Sequence, residues 1–374
     1  MDADETLRRL ESLAGSGDST TATATAPSSA CGAIVALMAS HEGSAAVQQA
    51  GCAALLRQHI SHAANTSQHD DDDDDVGQVL QSTQAMSRAL TLHVDDTRLH
   101  ETALHTWWGL VLDGAVVARL GRDATVALVL AVARAMGAAA ANSDSAEAQR
   151  CGCAALWHVA ASREAAVVVW QDAAAQDAVI GAVEKALAAF GAVSSDVARY
   201  ACAFLESMCE LKHVAVALAM ARPRLVDLVV MAIGEHATNE LVLEHATNVL
   251  RRFATDTAAT VSVGTAPLIR LLVRVMRTVS GNASVVHSAL AIVDSTLQQR
   301  QQQQIDPDMV FELLQVTNSL ILFHRTSDEV IGAGLAVLAT LIRNNTPVKL
   351  FTEPSCKKNT QQRRSHQHAA ALPW

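Results

Sequence analysis

The feature that most constrains the fold is a helical segment that recurs along the chain. Residues 47–55 (VQQAGCAAL) return as residues 148–156 (AQRCGCAAL), and weaker copies lie between and beyond them. Each copy centres on one small residue, which we call the anchor. The seven anchors, separated by 52, 49, 49, 45, 43 and 45 residues, are Gly51, Ala103, Gly152, Ala201, Ala246, Ala289 and Gly334.

Every anchor is flanked by apolar residues at the spacing of one helix face. Four residues before it stand Val47, Leu99, Ala148, Val197, Val242, Val285 and Val330. Four residues after it stand Leu55, Trp107, Leu156, Leu205, Leu250, Val293 and Leu338. Positions i, i+4 and i+8 share a face of an α-helix. A repeat of forty to fifty residues is typical of a helical solenoid.

Each unit is predicted to hold two helices, of which the second carries the anchor. The predicted first helices are 34–41, 79–92, 125–136, 178–190, 225–233, 268–279 and 309–323. Asp123 and Asp177 are predicted as caps, and Pro223, Pro267 and Pro307 as first-turn residues. Alanine-rich composition without alternating strand patterns predicts an all-α chain.

Composition and charge limit the function classes. The net charge is −10, and Asp70 to Asp75 supply six of the negative charges. With aromatic residues at 3% and no broad basic surface, a nucleic-acid partner is not expected. The start lacks a signal peptide, and Arg134 interrupts the most apolar stretch, so no membrane partner is expected. Cysteines recurring at a packed position predict reduced thiols and a cytoplasmic protein, with the nucleus as the alternative.

The pattern predicts three regions. Residues 1–29, a short helix-like start followed by a Ser/Thr/Ala tract, are expected to form a disordered segment. Residues 30–345 form the repeat domain, in which residues 65–77 are an acidic loop. Residues 346–374 form a disordered tail rich in Lys, Gln, Arg and His. A glutamine tract at 298–304 separates the last two units.

The pattern Gln-x-x-Gly-Cys-x-Ala-Leu at 48–55 and 149–156 resembles the third helix of armadillo-like repeats. It is similar to repeats of leucine-rich-repeat kinases and armadillo repeat-containing proteins, with HEAT repeats as the neighbouring family. The resemblance covers about residues 30–345. It implies a right-handed superhelix of about seven repeats, whose third helices line a concave groove. It carries no catalytic residue.

Helix rotation predicts which side chains face that groove. Residues two before and two after the buried residue at anchor +4 lie opposite the core, about 160° to 200° around the helix. The candidate partner-binding residues at these positions are Arg57, His105, His158, Asn248 and Arg252. Nuclear-import adaptors of this family repeatedly hold Trp and Asn there. No unit of this chain holds that pair, so a receptor for nuclear-localisation signals is not predicted.

No motif predicts catalysis, a metal, a cofactor or a small-molecule substrate. His100 and His105 are five residues apart and point in different directions, whereas a zinc-protease helix needs a spacing of four. We interpret them as an exposed pair. Cys151 and Cys153 likewise diverge, and no second ligand pair follows them.

The tryptophans are the residues with most potential for binding. Trp107 takes a core position. Trp108 and Trp157 follow the core position by one residue, and we expect them to pack between units, with the groove border as the alternative.

Three functions remain open at this stage. The leading hypothesis is a non-enzymatic scaffold that binds a protein partner, as a peptide or helix, in the groove. The second is a transport or regulatory adaptor that reads basic cargo through acidic groups. The third is an enzyme built on HEAT-like repeats.

Overall fold

The computed structural model describes residues 2–15, 30–65, 73–142, 145–211, 213–256, 265–299 and 306–344. Within these ranges the chain is all-helical, with 18 helices and no strand, which confirms the predicted all-α class. None of the helices in these ranges has the length and apolarity needed to cross a membrane.

The first nine helices are α1 (Ala3–Gly15), α2 (Ala30–Ser40), α3 (Ala45–Asn65), α4 (Asp73–Leu92), α5 (Thr97–Leu110), α6 (Gly114–Arg119), α7 (Arg122–Asn142), α8 (Ala146–Ala161) and α9 (Arg163–Gln171). The other nine are α10 (Ala173–Phe190), α11 (Ser195–Cys209), α12 (Val214–Ala221), α13 (Pro223–Glu235), α14 (Glu240–Asp256), α15 (Thr265–Thr278), α16 (Ala283–Gln299), α17 (Pro307–Phe323) and α18 (Asp328–Asn344).

All seven anchors lie in helices that pack against one another in chain order. We call α3, α5, α8, α11, α14, α16 and α18 the anchor helices; each contacts the next. A second layer holds the partner helices α2, α4, α7, α10, α13, α15 and α17, and each contacts the anchor helix that follows it. The partner helices agree with the predicted first helices to within six residues at each end.

The core lies between these two layers, on the face that the sequence predicts. All seven anchors are buried, and so are all seven residues four positions before them. Four positions after the anchor, six residues are buried and Leu338 of α18 is half-buried. The helix face defined by the repeat is therefore the packed face.

Each anchor helix starts at the same kind of cap. The residue seven positions before the anchor is Ser44, Asp96, Ser145, Ser194, Asn239, Asn282 or Ser327. In every case its side-chain oxygen accepts a hydrogen bond from the backbone N–H four residues before the anchor, at 3.0–3.4 Å. Such a cap satisfies one of the free N–H groups at a helix start, and it fixes the same helix register relative to every anchor.

The two closest sequence copies also share their packing. A Cβ atom added at Gly51 would lie 2.4 Å from Cγ of Met38, and one added at Gly152 would lie 2.4 Å from Cγ of Met136. The glycine therefore leaves room for a methionine of the partner helix. The buried Gln149 donates to the carbonyl of Met136, as Gln48 does to that of Met38, so in both copies the glutamine of the motif binds the methionine that packs against the anchor.

Histidines link consecutive units at a position that the sequence interpretation missed. Ten residues before the anchor stand His41, His93, His236 and His324 in four of the seven units. Three of these donate from Nε2 to a carbonyl in the preceding inter-helix turn: His93 to Glu42 at 2.7 Å, His236 to Gly191 at 2.8 Å and His324 to Ser280 at 2.6 Å. Each bond joins residues more than 40 apart in sequence.

Several boundaries differ from the prediction. Disorder throughout 1–29 is wrong for residues 3–15, because α1 packs against α2 and α3 and buries Leu10. The predicted loop 65–77 ends early, since α4 begins at Asp73; negative charge favours a helix start. Asp177 lies inside α10, whose cap is Asp172.

Some predicted segments lie outside the described residues. They are the rest of the acidic run, residues 16–29, most of the glutamine tract and the tail 346–374.

Three short helices were also missed. The short helices are α6, α9 and α12, and each lies between an anchor helix and the next partner helix. Each therefore belongs to the unit of that partner helix, and these three units contain three helices. The short helices contact both layers: α9 packs against α7, α8, α10 and α11. Ser162 caps α9 by accepting from the Ala165 N–H. Six to nine residues are too few for the periodicity that revealed the longer helices.

We predict that Gly152→Ala destabilises the fold relative to Gly181→Ala. Both glycines lie inside helices, so both changes gain the same helix propensity. Only Gly152 faces a packed side chain, whereas a Cβ atom at Gly181 meets nothing within 4 Å. The free energies of unfolding of the two variants, measured by denaturant titration, should differ by about 1–3 kcal/mol. Equal values would show that the anchor is not the point of closest helix approach.

Candidate functional site

The face of the anchor helices that lies opposite the core forms a continuous surface, which we call the anchor face. It carries the positions two and one before the anchor, and two, five and six after it. In the first six anchor helices, buried positions occupy the other side, at the anchor, three and four residues before it, and one, three and four residues after it. In α18 three of these six positions are not buried. Because the caps give all anchor helices one register, equivalent positions lie side by side.

Aromatic rings connect four anchor helices across this face. Trp157, five residues after its anchor, lies 5.7 Å from Tyr200, one residue before the next anchor, measured between ring centroids. Trp108 lies 6.2 Å from the same tyrosine, and Trp157 lies 5.9 Å from His245. These last two contacts each pass over an intervening anchor helix. His105 stacks on Trp108 at 5.7 Å, so the rings run from α5 to α14.

Two predicted groove positions on the helices that carry these rings are buried. Ala154 and Ala203, two residues after their anchors, are exposed by 0% and 1% although they lie opposite the core. The rings of Trp108, Trp157 and Tyr200 meet on the same side of α8 and α11. We infer that these half-buried rings cover the alanines, whose small side chains let the rings lie close to the helix backbone.

Two arginines border the rings, in different electrostatic settings. Arg150 holds its guanidinium 4.8 Å from the centre of the Trp108 ring and donates from Nε to Glu147 at 2.8 Å. The hydrogen bond from Arg150 lowers the pKa of Glu147. Arg199, at the equivalent position of α11, lies 5.1 Å from the Tyr200 ring. Within the described residues no carboxylate forms an ion pair with Arg199.

A polar network continues the surface toward α16. His245 donates from Nδ1 to Glu206 at 2.7 Å, and Asn248 donates to the other oxygen of that carboxylate at 2.8 Å. The side-chain oxygen Oδ1 of Asn248 in turn accepts a hydrogen bond from the Ser288 hydroxyl at 2.6 Å. Both oxygens of Glu206 are therefore occupied. The side chain of His245 is 20% exposed, so its contact with Trp157 joins the polar network to the rings.

The surface ends in a shallow cavity between α16 and α18. Its lining includes His287, Ala291, Asp294 and Ser295. Asp294 accepts from Thr340 of α18 at 2.6 Å. Burial lowers the pKa of His287, and Arg251 lowers it further.

The structure places the five predicted groove residues differently with respect to these networks. His105 is exposed and stacks on Trp108, and half-buried His158 lies 4.8 Å from the Trp157 ring. Asn248 lies in the polar network. The surface thus brings these three together. Arg57 is exposed on α3 and Arg252 is half-buried on α14. In the part of the chain that the structure describes, no ring contact or ion pair joins either of them to the networks.

Sequence reasoning missed Arg199, Tyr200, Glu206 and His245, because it considered only two positions per helix. Tyr200 offered a signal, since it is the only tyrosine of the chain and directly precedes an anchor. The interpretation of His100 and His105 as an exposed pair is wrong for His100. That side chain is 2% exposed and its Nδ1 donates to the Asp96 carbonyl at 2.8 Å.

The cysteines near this face are packing residues. Cys151 is 1% exposed and Cys153 is fully buried. Burial raises the pKa of the Cys151 thiol to about 12, and that of Cys153 is raised for the same reason. Among the residues that the structure describes, no group of three or more His, Cys, Asp or Glu side chains is arranged to hold a metal ion.

Comparisons with protein families, with curated proteins and with solved structures find no match to this chain. The site is therefore argued from its own residues.

We predict that His158 makes the fold less stable in mild acid. Burial lowers the pKa of its imidazole, so the unfolded chain binds a proton more readily than the folded one. This contribution to stability is present above the unfolded pKa of about 6.5 and is lost as the pH falls below it. The loss in melting temperature between pH 7.5 and pH 5.5 should be smaller for His158→Gln than for the unchanged chain. An identical loss in the His158→Gln variant and the unchanged chain would contradict the prediction.

Proposed function

We propose that this chain is a non-enzymatic scaffold, an armadillo-like α-solenoid that binds a segment of a partner protein on its anchor face. The anchor face is the concave groove of the superhelix that the sequence resemblance implies. The proposed setting is intracellular, because all six described cysteines are buried free thiols, as in proteins of reducing compartments.

The packing order supports the solenoid. Each anchor helix contacts the next along the chain, and each partner helix contacts its own anchor helix. Helix packing limited to neighbouring units is the property that defines a repeat array, and only ring contacts on the anchor face reach one unit further in the described residues. The shared caps and the recurring histidine bonds give the units one geometry. Three of the seven units contain a third helix, α6, α9 or α12, as armadillo-like units do, whereas the described residues of the other four hold two helices, as in HEAT-like units.

One observation carries the binding function: Trp108, Trp157 and Tyr200 form a connected, half-buried aromatic surface flanked by Arg150 and Arg199. Trp, Tyr and Arg are the residues that most often dominate binding energy at protein interfaces. Their rings offer a large contact area with few rotatable bonds, so little entropy is lost when a partner orders them. Ring contacts that span three anchor helices also hold this surface in place before binding.

The charges on this surface define the partner chemistry. Arg199 has no acidic partner among the described residues, so it is available to a carboxylate. Among the acidic groups nearby, Glu147 and Glu206 are already bound to Arg150 and to His245 with Asn248, and Glu101 accepts a hydrogen bond from Ser145. A segment that carries a carboxylate beside an aromatic or aliphatic side chain fits this surface better than basic cargo does. The adaptor for basic cargo is therefore the weaker alternative.

We predict that peptides selected from a displayed random library on the intact protein carry Asp or Glu next to an apolar residue. Arg199→Ala should weaken such a peptide about tenfold or more, because a hydrogen bond to a charged group contributes about 1.5–3 kcal/mol. The double change His158→Ala with Arg252→Ala should also weaken binding of the peptide. Isothermal titration calorimetry with one selected peptide measures both effects.

Arg224→Ala is the matched control, since Arg224 is exposed on α13 in the partner layer and should not affect binding. Circular dichroism verifies that each variant is folded. A library that yields only Lys- and Arg-rich peptides would favour the adaptor for basic cargo. If the selected peptides bind the Arg199→Ala variant as tightly as the unchanged chain, the anchor face is not the binding surface.

A further inference from the structure

The cavity between α16 and α18 lies beyond the aromatic rings, and the binding function proposed above does not use it. Its volume is about 370 Å³, within the range of about 300–1,000 Å³ that is usual for ligand pockets. The α16 wall is mostly polar and includes His287, Asp294 and Ser295. The lining residues of α18 on the opposite wall all have small side chains: Gly332, Ala333 and Ala336.

The hydroxyl groups around this cavity already donate within the protein. Thr255 and Ser295 donate to backbone carbonyls of α14, at 2.9 and 2.6 Å. Thr340 of α18 donates to the Asp294 side chain at 2.6 Å. A hydroxyl group that donates its hydrogen keeps lone pairs on its oxygen that accept hydrogen bonds. The cavity therefore presents acceptors, and a ligand group that only donates fits it.

Asp294 adds a negative charge to these acceptors. Its Oδ1 accepts from Thr340, and its Oδ2 accepts from the Gln298 amide at 2.7 Å, so both of these hydrogen-bond donors are neutral. Within the described residues Asp294 forms no ion pair. The residue is half-buried, and charges attract one another more strongly away from bulk water. A positive group that reaches the cavity is therefore stabilised by this carboxylate.

The other charges beside the cavity act mainly at His287. Burial lowers the pKa of its imidazole, Arg251 lowers it further, and Glu329 raises it. The imidazole is therefore mostly neutral at pH 7 and adds little positive charge. Because an α-helix rises about 1.5 Å per residue, Asp294 lies about 10 Å further along α16 than His287. Arg251 and Glu329 offset each other at the His287 end, so the charge of Asp294 dominates the other end.

We propose that this cavity binds one Lys or Arg side chain of the same partner segment whose acidic and apolar residues bind at Arg199 and the aromatic rings. The proposal rests on the binding function proposed above and adds a basic residue to the partner. Ammonium and guanidinium groups donate hydrogen bonds and accept none, so they match a cavity of acceptors. Their aliphatic stems pack against the small side chains of α18.

The helix packing sets the distance between the acidic and the basic residue of the partner. Arg199 lies on α11, and Asp294 lies two anchor helices further along the array, on α16. Packed helices are about 8–10 Å apart, and the two residues also differ in height along their helices by about 10 Å, so about 20 Å separates them. Since an extended segment covers about 3.3 Å per residue, the basic residue lies about five to seven residues from the acidic one.

Selection from a displayed random peptide library on the intact chain tests the proposal. Peptides with the acidic–apolar pair should also carry Lys or Arg at one fixed spacing from that pair. Selection on the Asp294→Asn variant should lose this basic residue and keep the pair. Ala336→Leu, which fills the cavity from the opposite wall, should have the same effect. Asp308→Asn, at an exposed carboxylate of the partner layer, is the control and should leave the selected sequences unchanged.

Thr340→Val separates the charge of Asp294 from its contact with α18. This change removes the same hydrogen bond and keeps the carboxylate, so selection should retain the basic residue. Isothermal titration calorimetry with one selected peptide measures the charge directly. Replacing the basic residue of that peptide by Met should weaken binding to the unchanged chain about tenfold, and should have no effect on binding to Asp294→Asn. Circular dichroism verifies that each variant is folded.

The outcomes that overturn this proposal differ from those that overturn the binding function. Peptides with the acidic–apolar pair but without a basic residue at a fixed spacing overturn the cavity proposal alone. A basic residue that is still selected by Asp294→Asn, or that Thr340→Val loses to the same extent, also overturns it. A library that yields no acidic–apolar pair overturns both proposals.

Discussion

The structure depends on one close helix approach that is repeated along the chain. A small residue at the anchor lets the partner helix lie against the anchor helix, and at Gly51 and Gly152 the space left by the missing Cβ atom holds a methionine side chain. The cap seven residues earlier fixes where each anchor helix begins relative to that contact. With register and spacing both set, each anchor helix presents the same side to the next one. The anchor face exists because these two constraints are repeated.

The helices and the core face could be predicted because they follow from local periodicity. An apolar, small, apolar pattern at i, i+4 and i+8 is visible in every unit without knowledge of what packs against it. The caps at Ser44, Asp96 and their equivalents were equally local, and aligning the units on their anchors would have revealed them. Helices as short as α6 and α12 have too few residues to show a clear hydrophobic period. They could not be predicted from the sequence pattern and are recognised only in the structure, where they contact both helix layers.

The candidate site was only partly predictable, because its contacts join residues distant in sequence. Rotation around a single helix predicted His105, His158 and Asn248 as groove residues, and each of them contacts a ring or a polar group of these networks. It did not predict that rings of different helices would contact one another, or that Ala154 and Ala203 would be buried. Trp108 and Tyr200 meet across an intervening helix, and no pattern within one unit predicts such a contact. The same limit applies to α18, where Leu335 follows the packing pattern of every other unit and yet is exposed.

The central claim is that the chain is a one-dimensional stack in which each unit depends only on its neighbours. Hydrogen exchange of a chain that ends at residue 299, compared with the full chain, tests it most directly. That chain lacks α17 and α18, which contact only α15 and α16 among the element pairs with extensive contacts. The account predicts unchanged amide protection from α3 to α13 and weaker protection confined to α15 and α16. Loss of protection throughout the chain would contradict it, because the fold would then be a single cooperative core.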